Sequence, residues 1–256
     1  MKVFDLYAAY YDLLYRDKDY AAETMYVRRL LEAANVSGGS ILELGCGTGG
    51  HAVELVRDGF NVTGIDFSGH MIEGARRRAD ALSSNIAKRV DFQYGDVRNY
   101  RGSTTYSAVV SLFHVMSYQT GNDDQDQAFA TARAHLDGGG VFLFDFWYGP
   151  AVLSDRPRHV VKEVSDDRIG VRRETTPVLH VNQNCVEVRF DVQITSSIDG
   201  RCERLLEAHM MRYLFLPEIE ERLNRCGFRL ASSSKWMSNE SLSERSWYGC
   251  VVAVAK

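Results

Sequence analysis

The sequence predicts an α/β fold: a parallel sheet with crossover helices that carries an inserted antiparallel β segment. Three observations lead there. Over the first 150 residues, short apolar runs alternate with patterns of helical period, the signature of successive βαβ units. One apolar run, Ser40–Leu44, passes straight into Gly45-Cys46-Gly47-Thr48-Gly49-Gly50 and then into another helical pattern. Beyond Pro150 the period changes to two, as Val186, Val188, Phe190, Val192 and Ile194 alternate with polar residues.

Taken in order, the first helix is expected from about Asp19 to Ala34, since Val27, Leu30, Leu31 and Ala34 share one helical face. Strand one is Ser40–Leu44 and strand two Asn61–Ile65. The helix between them turns Val53 and Val56 inward and stops at Gly59, a residue suited to the left-handed position after a helix. Met71, Ile72, Ala75, Ala79 and Leu82 mark the next helix. Val90–Tyr94, Tyr106–Leu112 and Val141–Phe146 read as strands three to five, with a helix near Gln125–His135 joining the last two. After Pro150, His159–Val164, Ile169–Thr175, the alternating run around Val186–Ile194 and Arg204–Tyr213 are expected to form an antiparallel sheet. Helical spacing returns at Leu216, Ile219 and Leu223 and ends at Gly227. Strands at Phe228–Lys235 and Trp247–Ala255 close the chain. Residues 1–256 are thus read as a single domain, with 151–213 a β-rich lid inserted within it.

Bulk properties narrow the function. The 256 residues are 45% hydrophobic and 25% charged, an ordinary globular balance. No apolar run approaches the ~20 residues that cross a bilayer, and the N-terminus lacks the basic-then-apolar pattern of an export signal. Five scattered cysteines (Cys46, Cys185, Cys202, Cys226 and Cys250) form no CxxC pair, so neither a zinc site nor a disulfide framework is expected and a reducing, cytoplasmic setting fits. A net charge of −4 gives no support to nucleic-acid binding, which depends on neutralising phosphates. The expected partner is a small-molecule acceptor, with no nucleic acid and no membrane; association into a homo-oligomer is left open.

The glycine turn carries the strongest signal. Glycines let a backbone turn sharply and approach a ligand closely, because no Cβ intervenes. Gly45, Gly47 and Gly50 satisfy GxGxxG, and Asp66 stands where a ribose-binding acid belongs, so the spacing alone also suits an NAD(P)-dependent oxidoreductase. Two features favour another ligand. Glu43, two residues before the first glycine, would repel a pyrophosphate but attract a cationic amino acid. Asp96, after strand three in Tyr94-Gly95-Asp96-Val97, adds a third acid. Acids at the ends of three successive strands suit an adenosine ligand without phosphate, such as S-adenosylmethionine with its sulfonium and ammonium groups. The plainer reading of Asp66 and Asp96 is as turn or cap residues.

Glu43-Leu44-Gly45-Cys46-Gly47-Thr48-Gly49 resembles the glycine motif of class I S-adenosylmethionine-dependent methyltransferases. The resemblance implies a Rossmann-like seven-stranded class I methyltransferase fold with the inserted antiparallel lid, and S-adenosyl-L-methionine as cofactor, leaving S-adenosyl-L-homocysteine. It implies that Asp66 binds both ribose hydroxyls and Asp96 the adenine amino group. Val97 would line the adenine pocket, with Phe67 and Met71 packing on the ring. The implied cofactor set also includes Tyr11, Tyr20, Glu43, Gly45, Cys46, Gly47, Gly49, Ser111 and Leu112. A narrower likeness, to small-molecule N-methyltransferases of nucleotide-linked amino sugars and to lincosamide N-methyltransferases, rests on four stretches. These are Tyr11-Asp12-Leu13-Leu14-Tyr15, Lys18-Asp19-Tyr20-Ala21-Ala22-Glu23, Val109-Val110-Ser111-Leu112-Phe113 and Glu207-Ala208-His209-Met210. The chain departs from that group at Phe113-His114-Val115-Met116-Ser117-Tyr118, where a smaller serine-rich turn is expected.

Methyl transfer from a sulfonium needs alignment and exclusion of water more than it needs a strong base. An ammonium acceptor must still lose a proton before it can attack. His114, directly after strand four, is the first candidate base and His209, on a lid strand, the second. Alternation is read as placing His209, Met211 and Tyr213 on one face, with Glu207, Met210 and Arg212 offset from them. His51 is expected to pack on the cofactor and His135 to be structural. Tyr11, Tyr15, Phe113, Tyr118 and Trp147 are candidates for an aromatic cage around cationic sulfur or nitrogen. The tyrosine-rich segment of residues 10–20 reads either as core packing or as a cap whose phenols point at the transfer centre. No metal is expected, because the acids that hold magnesium in catechol-type enzymes are missing after strand four. The Asn/Asp-Pro-Pro-aromatic run of DNA-adenine enzymes is missing there too. Methylation of an amine nitrogen is the expected reaction. O-methylation of a sugar or phenol is the alternative within the class; an NAD(P)-dependent oxidoreductase and a non-catalytic cofactor-binding module are the alternatives outside it.

Overall fold

A computed structural model describes residues 10–256. A helical turn at residues 10–14 (α1) leads to α2 (Tyr20–Ala33). Then come β1 (Ser40–Leu44), α3 (Gly50–Arg57), β2 (Asn61–Asp66), α4 (Gly69–Asp80), the short α5 (Ser84–Ala87), β3 (Val90–Tyr94) and β4 (Tyr106–Ser111). A 3-10 turn (Val115–Tyr118), α6 (Asn122–Ala134), β5 (Leu136–Tyr148) and α7 (Gly149–Ser154) follow. The segment expected to be a lid, called the lid below, holds β6 (Val160–Ser165), β7 (Ile169–His180), β8 (Cys185–Ser196) and β9 (Cys202–Leu214). The chain ends with α8 (Leu216–Arg225), β10 (Phe228–Lys235) and β11 (Tyr248–Ala255).

The main sheet runs β3-β2-β1-β4-β5, all parallel, and continues through antiparallel β11 to β10. Both of its faces are covered, so its strands carry apolar residues on both sides. On one face Ile41, Val62, Ala108, Val110 and Leu143 pack under α2, α3 and α4 through Val27, Leu31, Leu55 and Ile72. On the other, Leu42, Leu44, Val109, Phe142 and Phe144 pack under α6 and α8 through Phe129, Ile219 and Leu223. This is the α/β class with a parallel core that the sequence predicts.

Local signals account for most boundaries. Asp19 caps α2, its carboxylate accepting the Ala22 N–H at 2.8 Å, so the predicted Asp19 and Ala34 are the two caps of the helix. Gly59 and Gly227, at φ 102° and 80°, follow the ends of α3 and α8. Some elements run longer than expected. Strand β5 begins at Leu136 rather than Val141, because Leu136 pairs with Tyr106 before a register shift. Strand β7 continues past Thr175 to His180 with Pro177 inside it, paired with Val188.

Strands β6–β9 form the antiparallel order β9-β8-β7-β6, and β9 joins the main sheet only at Trp147↔Tyr213 and Tyr148↔Leu214. The lid therefore springs from the carboxyl end of β5. One of its faces packs on the start of the described chain: Tyr10, Leu13 and Leu14 fill a cluster with Ile169, Val171, Val192 and Ile194. Among the described residues, no helix is long and apolar enough to cross a membrane.

Candidate functional site

The glycine loop folds back onto the end of β2, with the Gly45 and Cys46 N–H groups donating to the Ile65 carbonyl at 2.8 and 2.9 Å. Gly45 has φ 75°, and a Cβ there would lie 2.6 Å from the Val115 side chain, so the loop and the turn after β4 approach more closely than any other residue allows. A Cβ on Gly47 would meet only open space, which makes Gly47 the loop's edge toward the site. Asp66 ends β2, buried, and holds the loop in place. One carboxylate oxygen accepts the Gly47 N–H and the other the Ser68 N–H, both at 2.9 Å. Burial raises its pKa, and these two N–H groups oppose that shift.

Glu43 is 1% exposed at the end of β1. Burial, then the neighbouring Asp66 charge, pushes its carboxyl up to about 8, against one hydrogen bond from the Ala52 N–H. Its Oε2 has no hydrogen-bond partner. A buried carboxyl with an orphan oxygen beside a second acid is costly unless a cation joins it. The ammonium of an adenosyl amino acid fits that need.

A polar chain missed by the sequence reading leads away from Glu43. His51, also buried, has Nδ1 3.8 Å from Glu43 Oε1 and Nε2 2.7 Å from Glu23 Oε2. Glu23 in turn pairs with Lys18, whose ammonium sits 4.3 Å over the Phe113 ring. Burial raises the Glu23 pKa, but the hydrogen bonds and charges of His51 and Lys18 outweigh it and the net shift is downward. Tyr20 stacks edge-on against His51 and covers Gly50. Burial pushes its phenol pKa up. The sequence signal for Glu23 and Lys18 lay in the Lys18–Glu23 stretch itself, but polarity at helical spacing does not disclose a partner 28 residues away.

Around this loop, Phe67 is 72% exposed directly after Asp66, while Met71 and Val97 are buried beside it. Asp96 lies past the end of β3, where its carboxylate is gripped by the Arg98 guanidinium at 2.6 to 3.1 Å. That hydrogen bonding outweighs burial and lowers the Asp96 pKa. Ser111 and Leu112 are buried, and the Ser111 hydroxyl donates to the Leu44 carbonyl at 3.3 Å, tying β4 to β1. Cys46 is buried with its thiol pKa well raised by burial first.

On the acceptor side, Phe113 and His114 both adopt positive φ, 65° and 64°, a paired left-handed conformation that side chains rarely take. The turn is held by Asp145, 1% exposed on β5, whose carboxylate accepts the His114 backbone N–H at 3.0 and 3.2 Å. His114 Nδ1 stands 2.6 Å from Asp145 Oδ2, off the line of an ideal hydrogen bond, and the imidazole stacks on Tyr248 with centroids 4.5 Å apart. Phe113 meets Tyr15 at 5.1 Å, and Tyr15 meets Tyr11 at 4.8 Å. Trp147 lies between His114 and Trp247, and its buried indole N–H has no partner.

The phenols of the N-terminal segment reach the lid. Tyr10 donates to Glu207 Oε1 at 3.0 Å, and the Tyr15 hydroxyl accepts from Arg173 at 3.1 Å. Tyr118, half exposed, contacts His209 Nδ1 at 3.1 Å, and His209 Nε2 contacts Glu207 Oε2 at 3.1 Å. Glu207 therefore shares the inner face with His209 instead of being offset from it: a period of two places residues 207, 209, 211 and 213 together. His135 is structural as expected, bonded to the Thr131 carbonyl and the Gly102 N–H. The sites thus fall into two groups, the Glu43–Asp66 edge and the aromatic turn with His114, bridged by Lys18 and Phe113. Among the described residues no three His, Cys, Asp or Glu side chains cluster as metal ligands.

Comparison with known proteins agrees with the fold. The methyltransferase-domain family matches residues 41–140, from β1 to the start of β5. A Streptomyces venezuelae dTDP-3-amino-3,4,6-trideoxy-alpha-D-glucopyranose N,N-dimethyltransferase is 29% identical over 230 residues, covering 88% of this chain and 90% of its own. The crystal structure of Streptomyces venezuelae DesVI superposes with a TM-score of 0.80 at 23% identity, covering 100% of this chain and 99% of its own. The sugar N-methyltransferase KedS8 from Streptoalloteichus sp. ATCC 53650 also gives 0.80, at 21% identity, covering 100% and 93%.

Proposed function

We propose that the chain is a class I S-adenosylmethionine-dependent methyltransferase that methylates the amine nitrogen of an amino sugar or a similar small-molecule intermediate, a reading supported by the match to the methyltransferase-domain family and by the likeness to amino-sugar N-methyltransferases. Residues 1–256 act as one methyltransferase domain and 151–213 as its lid. The observation that carries the cofactor half of this reading is the pair of buried carboxylates, Glu43 and Asp66, at the adjacent ends of β1 and β2. Glu43 takes the amino-acid ammonium, Asp66 and Gly47 frame the ribose, and Phe67, Met71 and Val97 receive the adenine. Asp96 reaches the adenine amino group only by sharing its carboxylate with Arg98. The choice of nitrogen rests on the amino-sugar relative.

The bound cofactor supplies a methyl group made electrophilic by its sulfonium. The chain does the rest. Tyr11, Tyr15, Phe113 and Trp147 offer aromatic surface for cationic nitrogen, worth ~0.5–2 kcal/mol per ring. An amine held as ammonium has no lone pair, so its proton must leave first, and we assign its acceptor as His114 Nε2. Asp145 lies on the Nδ1 side of the same ring, where it orients the imidazole and offsets the charge the ring gains. His209, tied to Tyr118 and Glu207, borders the acceptor from the lid. Displacement at a sulfonium asks for no metal, and none enters the reading. A cytoplasmic setting belongs to it, since the cysteines are unpaired.

Transfer of labelled methyl to a panel of amino sugars, each beside its hydroxyl counterpart, tests the proposal. Label on the amines and not on their counterparts supports it. Label on the hydroxyl compounds alone establishes O-methylation instead.

A further inference from the structure

Tyr248 opens β11 and lies in neither core of the main sheet. It is 42% exposed, whereas Gly249, Cys250, Val251 and Val252 behind it are buried. A large ring in the open at the start of a buried strand adds little to the core, so its use lies elsewhere. The sheet fixes its place. Across the β11–β5 ladder Tyr248 pairs with Trp147 and Cys250 with Asp145, which puts Tyr248 and Asp145 on one face as diagonal neighbours. The Tyr248 carbonyl also accepts the Trp236 N–H at 2.9 Å, holding the first residue of the strand.

That face receives the His114 imidazole. The ring lies flat on Tyr248, with centroids 4.5 Å apart and planes 15° apart. Its other aromatic neighbours are tilted or edge-on, Phe113 at 41° and Trp147 at 60°. Asp145 does not set the plane: His114 Nδ1 is 2.6 Å from the carboxylate but makes no aligned hydrogen bond. The parallel stack is therefore the contact that orients the imidazole with its Nδ1 edge toward Asp145. The titratable groups facing the ring are Asp145 from β5 and Tyr248 from β11, while Tyr15 and Lys18 face the adjoining Phe113. An aromatic face attracts a cation above it more strongly than a neutral ring. A base turns into a cation as it takes up its proton, so this attraction grows along the reaction, which is the condition for lowering a barrier.

We propose that Tyr248 is a positioning residue for methyl transfer: its ring holds the His114 imidazole in plane beside Asp145 and stabilises the imidazolium formed when His114 takes the acceptor's proton. The inference rests on the assignment of His114 as proton acceptor and adds the surface against which it works.

The first test needs no acceptor. Imidazole resonances of the full chain, carbon-13-labelled at histidine and saturated with S-adenosylhomocysteine, are followed against pH, with His114→Asn identifying the His114 signal. Without the ring, the cation loses its support and the proton leaves at lower pH. The His114 midpoint in Tyr248→Leu should therefore fall by about half a unit to one unit. Tyr248→Phe, which keeps the face, should recover most of that shift. An equal midpoint in wild type and Tyr248→Leu overturns the inference, as does a Tyr248→Phe shift as large as that of Tyr248→Leu, which would place the effect in the hydroxyl. Unchanged S-adenosylhomocysteine affinity reports that the variants are folded.

The second test uses the amino sugar that takes labelled methyl fastest. Tyr248→Leu should lower kcat by about tenfold below the acceptor amine's own pKa. It should cost nothing further in a His114→Asn background, because a residue acting through another is non-additive with it. Equal losses in both backgrounds make Tyr248 a packing residue and sink the proposal. Full kcat in His114→Asn, with the midpoint shift still present, sinks the assignment of the base and leaves the stack standing.

Discussion

Glu43 makes the cofactor site a proton-linked site, and the size of the linkage follows from its burial. With its carboxyl pKa near 8 against an ordinary 4.5, the side chain is neutral in the free protein at pH 6. Binding an ammonium requires it to ionise. Two pH units below that pKa, ionisation costs roughly 2 to 3 kcal/mol, a factor of about a hundred in affinity. Titration with S-adenosylhomocysteine between pH 6 and 7.5 should therefore show affinity rising by up to about tenfold per unit. The rise should flatten near pH 8, where the ligand's own α-amino group starts to lose its proton. Glu43→Gln should remove the slope. Methylthioadenosine, which lacks the amino acid, should show none even with wild type.

The same linkage acts on the stability of the free protein. A carboxyl whose folded pKa is raised binds its proton more tightly in the native state. The stability this gives is present in full below about 4.5 and is lost as pH rises through about 8. Glu43→Gln should thus match wild type in melting temperature near pH 5 and exceed it above pH 8. A flat wild-type affinity from pH 6 to 7.5, or an unchanged slope in Glu43→Gln, would refute the assignment of Glu43 to the ammonium.

Three further outcomes follow from named contacts. Asp66→Ala removes a charged acceptor from two N–H groups as well as from the ribose, so cofactor affinity should fall by about a hundredfold and the melting temperature by several degrees; calorimetry and thermal scans read both. Asp145→Asn should lower kcat by about a hundredfold near neutral pH with cofactor affinity unchanged, and the loss should shrink as pH approaches the acceptor amine's own pKa, because a neutral amine needs no base; a kcat–pH profile decides it. Gly45→Ala meets both a positive φ and the Val115 side chain, so it should cost about 2–4 kcal/mol in stability, seen in denaturant unfolding.

What the sequence disclosed, it disclosed through period and punctuation. Strands β1, β3 and β10 fall where alternation and flanking turns place them, because a strand covered on one or both faces writes its burial directly into the residue order. The glycine loop was legible for the same reason: only glycine serves at such positions. Pairings across the fold were not. Asp145 reads as one acid within an apolar strand, and nothing near it names His114, 31 residues earlier, as its partner. The Glu43–His51–Glu23–Lys18 chain joins three separate elements. Tyr10 and Tyr15 were read either as packing or as a cap aimed at the transfer centre; their rings do pack in the cluster beneath the lid, while their hydroxyls bond to Glu207 and Arg173. Aromatic spacing cannot encode which distant sheet a hydroxyl will reach.

The acidic edge at β1 and β2 is assigned to an adenosyl amino acid and not to a dinucleotide. Calorimetry of the full chain with S-adenosylmethionine, S-adenosylhomocysteine and NAD addresses it in one experiment. The first two should bind saturably and the third not at all. Tight uptake of NAD with no heat from either adenosyl compound would contradict it.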